Sequence, residues 1–120
     1  RFEEGSPNTM SIHAFGAALD LLLETGIENI EKRLMGLGDT ILEQLNQREL
    51  KVYSSIRPDE RSGNISFTLE KDVSQLYSYM LENKVKLTVR DGLVRLSPHF
   101  YNSEDEILKF FDLLDKYRKI

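Results

Sequence analysis

Two short segments carry the side chains best suited to bind a charged ligand. Gly5 and Ser6 lie in a predicted loop, residues 1–8, directly before an apolar helical stretch. Backbone N–H groups and a hydroxyl at such a place can bind a phosphate, although a capped helix lead-in is the commoner role. Arg95 follows Val94 in an alternating strand pattern and could hold a carboxylate through two parallel hydrogen bonds. The competing interpretation of Arg95 is a solvated surface arginine.

Other kinds of site find little support in the residue types. The chain has no cysteine, which excludes disulfides, thiolate metal ligands and a cysteine nucleophile. His13 and His99 are its two histidines, whereas a zinc site needs three or four ligands at suitable spacing. No P-loop and no Gly-x-Ser-x-Gly elbow occurs in the sequence. We therefore expect no metal site and no complete set of catalytic residues.

Length and charge restrict the class of protein. The 120 residues include 16 basic and 20 acidic side chains, a net charge of −4, which argues against a nucleic-acid-binding face. The length is typical of a single domain of roughly 100–150 residues. No apolar run approaches the roughly 20 residues of a membrane span, and no signal peptide is visible. We expect a cytoplasmic protein without membrane or nucleic-acid partners.

Two helices are predicted over residues 9–48. The first spans Thr9–Thr25, and Gly26 is placed to end it with a positive φ. The second spans Ile27–Arg48, where Gly36 and Gly38 each weaken the middle by about 1 kcal/mol, so a kink or break there is one option. Apolar residues recur at helical spacing in both helices: Ile12, Phe15, Leu19, Leu22 and Leu23, then Ile30, Leu34, Leu37, Ile41 and Leu45.

Residues 49–120 change to a period of two and predict the order β-β-α-β-β-α. The Asp91-Gly92 pair separates two alternating runs, a strong signal for a β-hairpin. If Val94 and Leu96 face the helices, Arg95 must stand on the other face of the sheet. The predicted strands are Val52–Ile56, Asn64–Glu70, Leu87–Arg90 and Leu93–Ser97.

Capping patterns mark the starts of the last two helices. Asp72 is followed three residues later by Gln75, and Ser103 is followed at the same spacing by Glu106. Helices that alternate with hairpin strands predict an α+β fold, an antiparallel sheet of about four strands with helices packed on one face. We expect the other face to meet water or another domain.

Three segments resemble one family in order along the chain. The run RFEEGSPNTMSIHAFGAALDLL resembles the segment that opens the C-terminal part of class V aminotransferases, the cysteine-desulfurase-like branch of fold-type I pyridoxal 5′-phosphate (PLP) enzymes. RSGNISF, at Arg61–Phe67, is similar to a central strand of that family. DGLVRLSPHFYNSEDEI resembles its closing motif. The resemblance implies the small C-terminal domain of such an enzyme.

The resemblance also implies roles for three residues. Ser6 occupies the place of a hydroxyl, more often a threonine, that reaches the PLP phosphate of the partner subunit in a homodimer, and Gly5 precedes it. Arg95 occupies the place of the arginine that holds the α-carboxylate of the amino-acid substrate. Holding one carboxylate would align the bond to be broken with the cofactor.

Two departures from the family pattern limit the expected activity. The Schiff-base lysine of the family lies upstream in the large PLP-binding domain, so catalytic residues are expected outside this chain. Because no lysine of this chain lies in that motif, we expect the chain to be inactive alone. Because it opens at Arg1 rather than Met, we expect it to be a piece of a longer protein. Desulfurases carry a nucleophilic cysteine on a mobile loop, whereas Lys86–Gly92 here is short and cysteine-free.

Several reactions remain open for the parent enzyme: transamination, elimination or epimerisation of an amino acid. A second hypothesis is a stand-alone α+β module that binds a small ligand or a protein partner without catalysis.

Overall fold

The computed structural model describes residues 5–120. The chain divides into two compact units, one ending at Ile30 and one spanning Glu31–Ile120, and each is described by itself.

The first unit is built around helix α1, Thr9–Thr25, which has the predicted bounds. The Asn8 side chain caps it by accepting a hydrogen bond from the Ser11 N–H at 3.1 Å. Gly26 ends it with a φ of 90°, a conformation that favours glycine, and donates its N–H to the Leu22 carbonyl at 2.9 Å.

The apolar residues of α1 are not buried in the described chain. No residue of this helix is buried. Its exposed large apolar side chains lie on two sides of the helix, Met10 and Leu21 on one and Ile12, Phe15, Leu19 and Leu23 on the other. Apolar surface of this extent is normally covered by other protein.

Helix α2, Ile27–Gln47, begins in the first unit and continues into the second. It is unbroken through Gly36 and Gly38, so the break considered from the sequence does not occur. Its Leu37, Ile41 and Leu45 are fully buried, as the helical spacing predicts.

The second unit contains two further helices and one sheet. These are strand β1, Ile65–Phe67, helix α3, Val73–Glu82, strands β2, Thr88–Arg90, and β3, Leu93–Leu96, and helix α4, Glu104–Lys119. The sheet is antiparallel with the order β1-β3-β2. The α+β fold is therefore confirmed, with β3 as the central strand.

The register of the sheet separates an apolar face from a polar one. Phe67 and Val94 are direct partners and both are fully buried in the core. Arg95 is the direct partner of Ser66 on β1 and of Thr88 on β2. Since successive side chains alternate between faces, these three polar residues lie together on the face opposite the core.

The sheet has three strands rather than about four. The prediction of a strand at Val52–Ile56 is wrong. The strand is reduced to a single bridge between Val52 and Phe67. The Ser66 N–H donates to the Ser54 hydroxyl at 3.1 Å. In a regular antiparallel pair this N–H would donate to a backbone carbonyl of the neighbouring strand. The ladder therefore stops after one pairing.

Side chains from α2, α3, α4 and the sheet form one core. Phe67, Leu76, Met80, Phe111 and Leu114 are fully buried within it. These helices thus cover one face of the sheet, in agreement with the predicted architecture.

The predicted caps are half right. At α4 the Ser103 hydroxyl accepts from the Glu106 N–H, and the Glu106 carboxylate accepts from the Ser103 N–H at 2.8 Å, a complete capping box. At α3 the Asp72 carboxylate accepts from the N–H and the hydroxyl of Ser74, at 2.9 and 2.6 Å. The side chain of Ser74, rather than that of Gln75, is thus its partner.

Among residues 5–120, no single helix has the length and apolar character needed to cross a membrane; α1 and α2 meet those criteria only when taken together.

Candidate functional site

The first candidate segment lies in the unit that ends at Ile30. Gly5 has a φ of 79°, in the region that favours glycine, and space is open beside its Cα. Ser6 follows it and is exposed. The first turn of α1 holds no acidic residue. The Asn8 side chain caps the Ser11 N–H, and no partner for the Thr9 and Met10 N–H groups is found among residues 5–120.

The second candidate residue, Arg95, lies in the middle of the central strand. Val94 is fully buried and Leu96 packs against the core, so Arg95 lies on the opposite face, as the alternation predicts. Its Nε atom is buried and has no hydrogen-bond partner in the described part of the chain. Within residues 5–120 no carboxylate lies within ion-pair distance of Arg95.

Arg61 shows what an arginine with a structural partner looks like in the same unit. Its Nη2 atom lies 2.5 Å from the Asp39 carboxylate, with the Met35 carbonyl 3.5 Å away. This ion pair fixes the loop before β1 on α2. The Nε of Arg61 is also buried without a hydrogen-bond partner, so this feature is common to both arginines. They differ in the counter-charge, which Arg95 lacks among the described residues.

The loop that leaves β3 is held by a network around Asn102. The Asn102 side chain accepts from the His99 N–H at 2.8 Å and donates to the Glu106 carboxylate at 3.2 Å. The bond from the Ser103 N–H, followed by that from Asn102, lowers the pKa of Glu106. The chain directly after Arg95 is therefore fixed to the start of α4.

His99 is packed against its neighbours in this loop. Its ring stacks on Tyr101 with centroids 4.8 Å apart. Its Nδ1 accepts from the Phe100 N–H at 3.0 Å, which places the proton of the neutral ring on Nε2. In residues 5–120 no group of three or more metal-binding side chains is found.

A cavity of about 520 Å³ lies beside the same loop. Its lining includes the apolar Leu96 and Phe110 and three lysines, Lys84, Lys86 and Lys109. Sequence analysis missed it because its lining comes from segments far apart in the chain.

The hairpin between β2 and β3 has a two-residue turn. Asp91 and Gly92 have φ values of 54° and 76°, the conformation of a type I′ turn. The turn predicted from the Asp-Gly pair is confirmed, and the connection contains no inserted loop.

Sequence analysis also missed the two direct neighbours of Arg95. Ser66 and Thr88 come from strands 22 residues apart in the sequence, and only the strand order brings both beside one arginine. Gly5 and Ser6 belong to the other unit. The arginine predicted to bind a carboxylate thus lies in one unit, and the residues predicted to bind a phosphate lie in the other.

The Aminotransferase class-V family model matches residues 1–110. A cysteine desulfurase of Cronobacter sakazakii is 34% identical over 89% of this chain and 29% of its own length. An uncharacterised aminotransferase of Bacillus subtilis, YcbU, is 27% identical over 93% of this chain and 30% of its own. The apo structure of a cysteine desulfurase from Thermococcus onnurineus NA1 superposes with a TM-score of 0.91 at 22% identity, over 99% of this chain and 33% of that one.

This chain belongs to the class V aminotransferase family, of the cysteine-desulfurase-like kind. It spans about a third of the length of the relatives that it matches. The structural likeness shows the same fold, and the small size relative to these proteins is consistent with a large domain outside the chain.

Proposed function

We propose that this chain is the C-terminal small domain of a PLP-dependent enzyme that acts on an amino acid, in which Arg95 binds the substrate α-carboxylate. The observation that carries the proposal is the state of Arg95. It lies on the polar sheet face, its Nε is buried without a partner, and no described carboxylate neutralises it. An arginine in such a place gains most from a planar anion, which it can bind with two parallel hydrogen bonds.

The residues before α1 fit one end of PLP. Gly5 allows a close backbone approach, Ser6 offers an exposed hydroxyl, and the acid-free first turn of α1 favours an anion. We propose that Gly5 and Ser6 bind the cofactor phosphate across a homodimer. When bound, PLP would supply the electron sink for bond cleavage at the α-carbon. No lysine of this chain is proposed to hold it.

Arg95 would contribute orientation rather than proton transfer. Once the α-carboxylate is fixed, the substrate can still rotate only about the Cα–carboxylate axis. Less entropy then remains to be lost between the bound state and the transition state.

The exposed apolar side chains of α1 support a further part of the proposal. Phe15 and Leu23, at 65% and 70% exposure, would be covered by the large domain of the same enzyme or by the partner subunit. The part of the relatives that this chain does not cover is about two-thirds of their length, which is large enough to form such a domain.

The reaction type stays open between transamination, elimination and epimerisation. Cysteine-based sulfur transfer from the β2–β3 connection is excluded, because the connection is the two-residue turn Asp91-Gly92 and the chain has no cysteine.

The test uses the full-length protein that carries this chain. We expect absorbance of bound PLP in the visible range and turnover with at least one amino acid. Arg95→Ala should raise KM for that amino acid about 100-fold, the loss expected for a bidentate charged contact, while Arg95→Lys restores only part of it. Arg57→Ala, an exposed arginine paired with Asp59 and Glu60, is the matched control. An unchanged KM in Arg95→Ala would remove Arg95 from the site.

The stand-alone module makes the opposite prediction. Calorimetry on the 120-residue chain alone should show no tight PLP binding if the enzyme proposal holds. A discrete small-ligand complex of the isolated chain, with no absorbing cofactor in any longer form, would favour the module.

A further inference from the structure

We infer that the cavity of about 520 Å³ beside the loop after β3 binds a small organic anion, a molecule with an apolar body and one carboxylate at its end. Its volume is typical of small-molecule sites, which span about 300–1,000 Å³. Neither Arg95 nor Gly5 or Ser6 lines the cavity, so this inference goes beyond the proposed function and does not depend on it.

The walls of the cavity come from three segments that the fold brings to one end of the sheet. β2 and β3 are antiparallel with Thr88 opposite Arg95, so the residues that enter β2 lie beside those that leave β3. Residues 84–86 form the first wall, and Leu96 with the loop that follows it forms the second. The start of α4 supplies the third. Because all three segments belong to one unit, the site is complete within it.

The lining concentrates positive charge in a chain whose net charge is −4. Three lysines belong to it: Lys84, Lys86 and Lys109. The one carboxylate in the lining, that of Glu106, accepts from the Ser103 N–H at 2.8 Å and from the Asn102 side chain at 3.2 Å. Among residues 5–120 no ion pair involves any of the three lysines. An anion in the cavity therefore meets three ammonium groups that have no fixed counter-charge there.

Lys84 occupies a backbone position that favours glycine. It follows the Asn83 cap of α3 with a φ of 62°. Its N–H donates to the Leu81 carbonyl at 3.0 Å, and the Val85 N–H donates to the Met80 carbonyl at 2.9 Å. This pattern of bonds normally has glycine at the residue with positive φ, because a side chain is disfavoured there. A lysine in this position points to a use for its charge, and the cavity provides one.

The apolar part of the lining defines the body of the ligand. Ile41, Ile107 and Phe110 are buried core residues that also line the cavity, whereas the three lysines are exposed. An apolar body can therefore cover core side chains while the anionic end stays within reach of the ammonium groups, each on a flexible four-carbon stem. The exposed Ser97 and Tyr101 add two hydroxyls to the same lining.

The alternative is that the lysines are ordinary solvated charges and that another part of the full-length protein covers the cavity. Lysines are mostly exposed in folded proteins, whether or not they bind a ligand. A covered cavity would bind neither a carboxylate nor an uncharged molecule with the same body. Comparison of such pairs in the full-length protein therefore separates the two interpretations.

The experiment titrates the full-length protein by calorimetry with two matched pairs, octanoate with 1-octanol and 2-naphthoate with 2-naphthylmethanol. At least one carboxylate should bind about tenfold more tightly than its alcohol, and the tighter of the two shows whether the cavity takes a chain or a ring. Within the chain series, each added methylene from hexanoate to octanoate should lower Kd about 3–4-fold. Acetate, which has almost no apolar body, should not bind.

Variants of the lysines locate the binding. Lys86→Gln and Lys109→Gln should each raise Kd for the tighter carboxylate about 2–5-fold and leave Kd for its alcohol within about twofold. Lys84→Gly should weaken carboxylate binding without lowering the thermal unfolding midpoint, because glycine relieves the positive φ. Lys51→Gln removes the same charge from an exposed lysine outside the lining and should change neither Kd.

Arg95→Ala should leave Kd for the tighter carboxylate unchanged. If Arg95→Ala abolishes that binding and the lysine variants do not change it, the carboxylate occupies the proposed substrate site, which overturns this inference and supports the proposed function. No binding to the full-length protein, equal binding of acid and alcohol, or an equal loss in Lys51→Gln also overturns it. None of these three outcomes alters the KM test of Arg95, so the two proposals fail separately.

Discussion

Arg48 and Asp115 join the end of α2 to α4 through two parallel hydrogen bonds. Arg48 Nε donates to Asp115 Oδ1 and Nη2 to Oδ2, each at 2.8 Å. The third nitrogen donates to the carbonyl and side-chain oxygens of Gln44, and the guanidinium lies 4.9 Å from the centre of the Phe111 ring. The contacts with Gln44 and Phe111 hold the guanidinium in one orientation, so little side-chain entropy is lost when it pairs with Asp115. The pair therefore anchors α2 to α4, which are not consecutive in the chain.

The first prediction concerns acid stability through this pair. The hydrogen bonds from Arg48, and then its charge, lower the pKa of Asp115 from an ordinary value of 3.8. A lowered folded-state pKa adds stability above the unfolded-state pKa, and that stability is lost as pH falls through the folded-state value. Asp115→Asn should therefore lower the free energy of unfolding near pH 6 by about 1 kcal/mol or less, because solvent screens the half-exposed carboxylate.

Urea unfolding of the 120-residue chain between about pH 6 and pH 2 would measure this effect. The gap between the parent chain and Asp115→Asn should narrow as the pH falls below 3.8. The variant should keep some acid sensitivity, because hydrogen bonds to Ser74 also lower the pKa of Asp72. A gap that stays constant over the whole range would contradict the assignment.

The second prediction concerns Tyr117, which connects the end of α4 to the start of α3. Its hydroxyl donates to the Asp72 carbonyl at 2.8 Å, and burial raises its pKa. Tyr117→Phe keeps the ring against Tyr79 but removes this bond, so it should cost about 1 kcal/mol of unfolding free energy. Thermal unfolding at neutral pH would measure the loss, and Tyr53→Phe, an exposed tyrosine, should show none.

The third prediction concerns the core beneath the sheet. Leu114 is fully buried, so Leu114→Ala should destabilise the chain by about 2–5 kcal/mol through lost burial and the cavity left behind. Leu108→Ala on the same helix, where the side chain is 41% exposed, is the control and should cost far less. Similar losses in a denaturant titration would mean that α4 packs in another orientation.

The fourth prediction concerns the exposed apolar side chains of α1. We expect the isolated chain to associate in a concentration-dependent manner, and Phe15→Glu together with Leu23→Lys to reduce that association. Sedimentation would measure it. The exposed, polar pair Glu28→Lys and Lys32→Glu on α2 preserves net charge and should leave association as it was. In the full-length protein the α1 substitutions should instead lower the free energy of unfolding. If they change neither the association of the isolated chain nor the stability of the full-length protein, α1 is not covered by a large domain or a partner subunit.

The fifth prediction concerns the cofactor phosphate. Ser6→Ala should raise Kd for PLP in the full-length enzyme about 3–10-fold, the effect of one charge-assisted hydrogen bond. Ser6→Thr should restore it. Pyridoxal, which lacks the phosphate, should bind the parent and Ser6→Ala equally well; a loss for both compounds would place Ser6 elsewhere.

Local signals in the sequence were sufficient for the elements but not for the site. Gly26, the Asp91-Gly92 pair and the Ser103 capping box each act over a few residues, and the structure has all three as predicted. The extent of strand pairing was harder to predict, because the Ser54 hydroxyl takes the Ser66 N–H from the ladder. The neighbours of Arg95 depend on the strand order, which is set by tertiary packing and leaves no mark in a local pattern.

The position of β3 has a consequence for synthesis. It is the middle strand of the sheet but the last of the three to leave the ribosome, since β1 and β2 both precede Leu93. Until then the edge of β1 that pairs with β3 has no partner, and Phe67 has no Val94 to pack against. During synthesis the nascent chain therefore exposes an unpaired strand edge that is prone to aggregation. Chaperones that bind such segments would act in this interval.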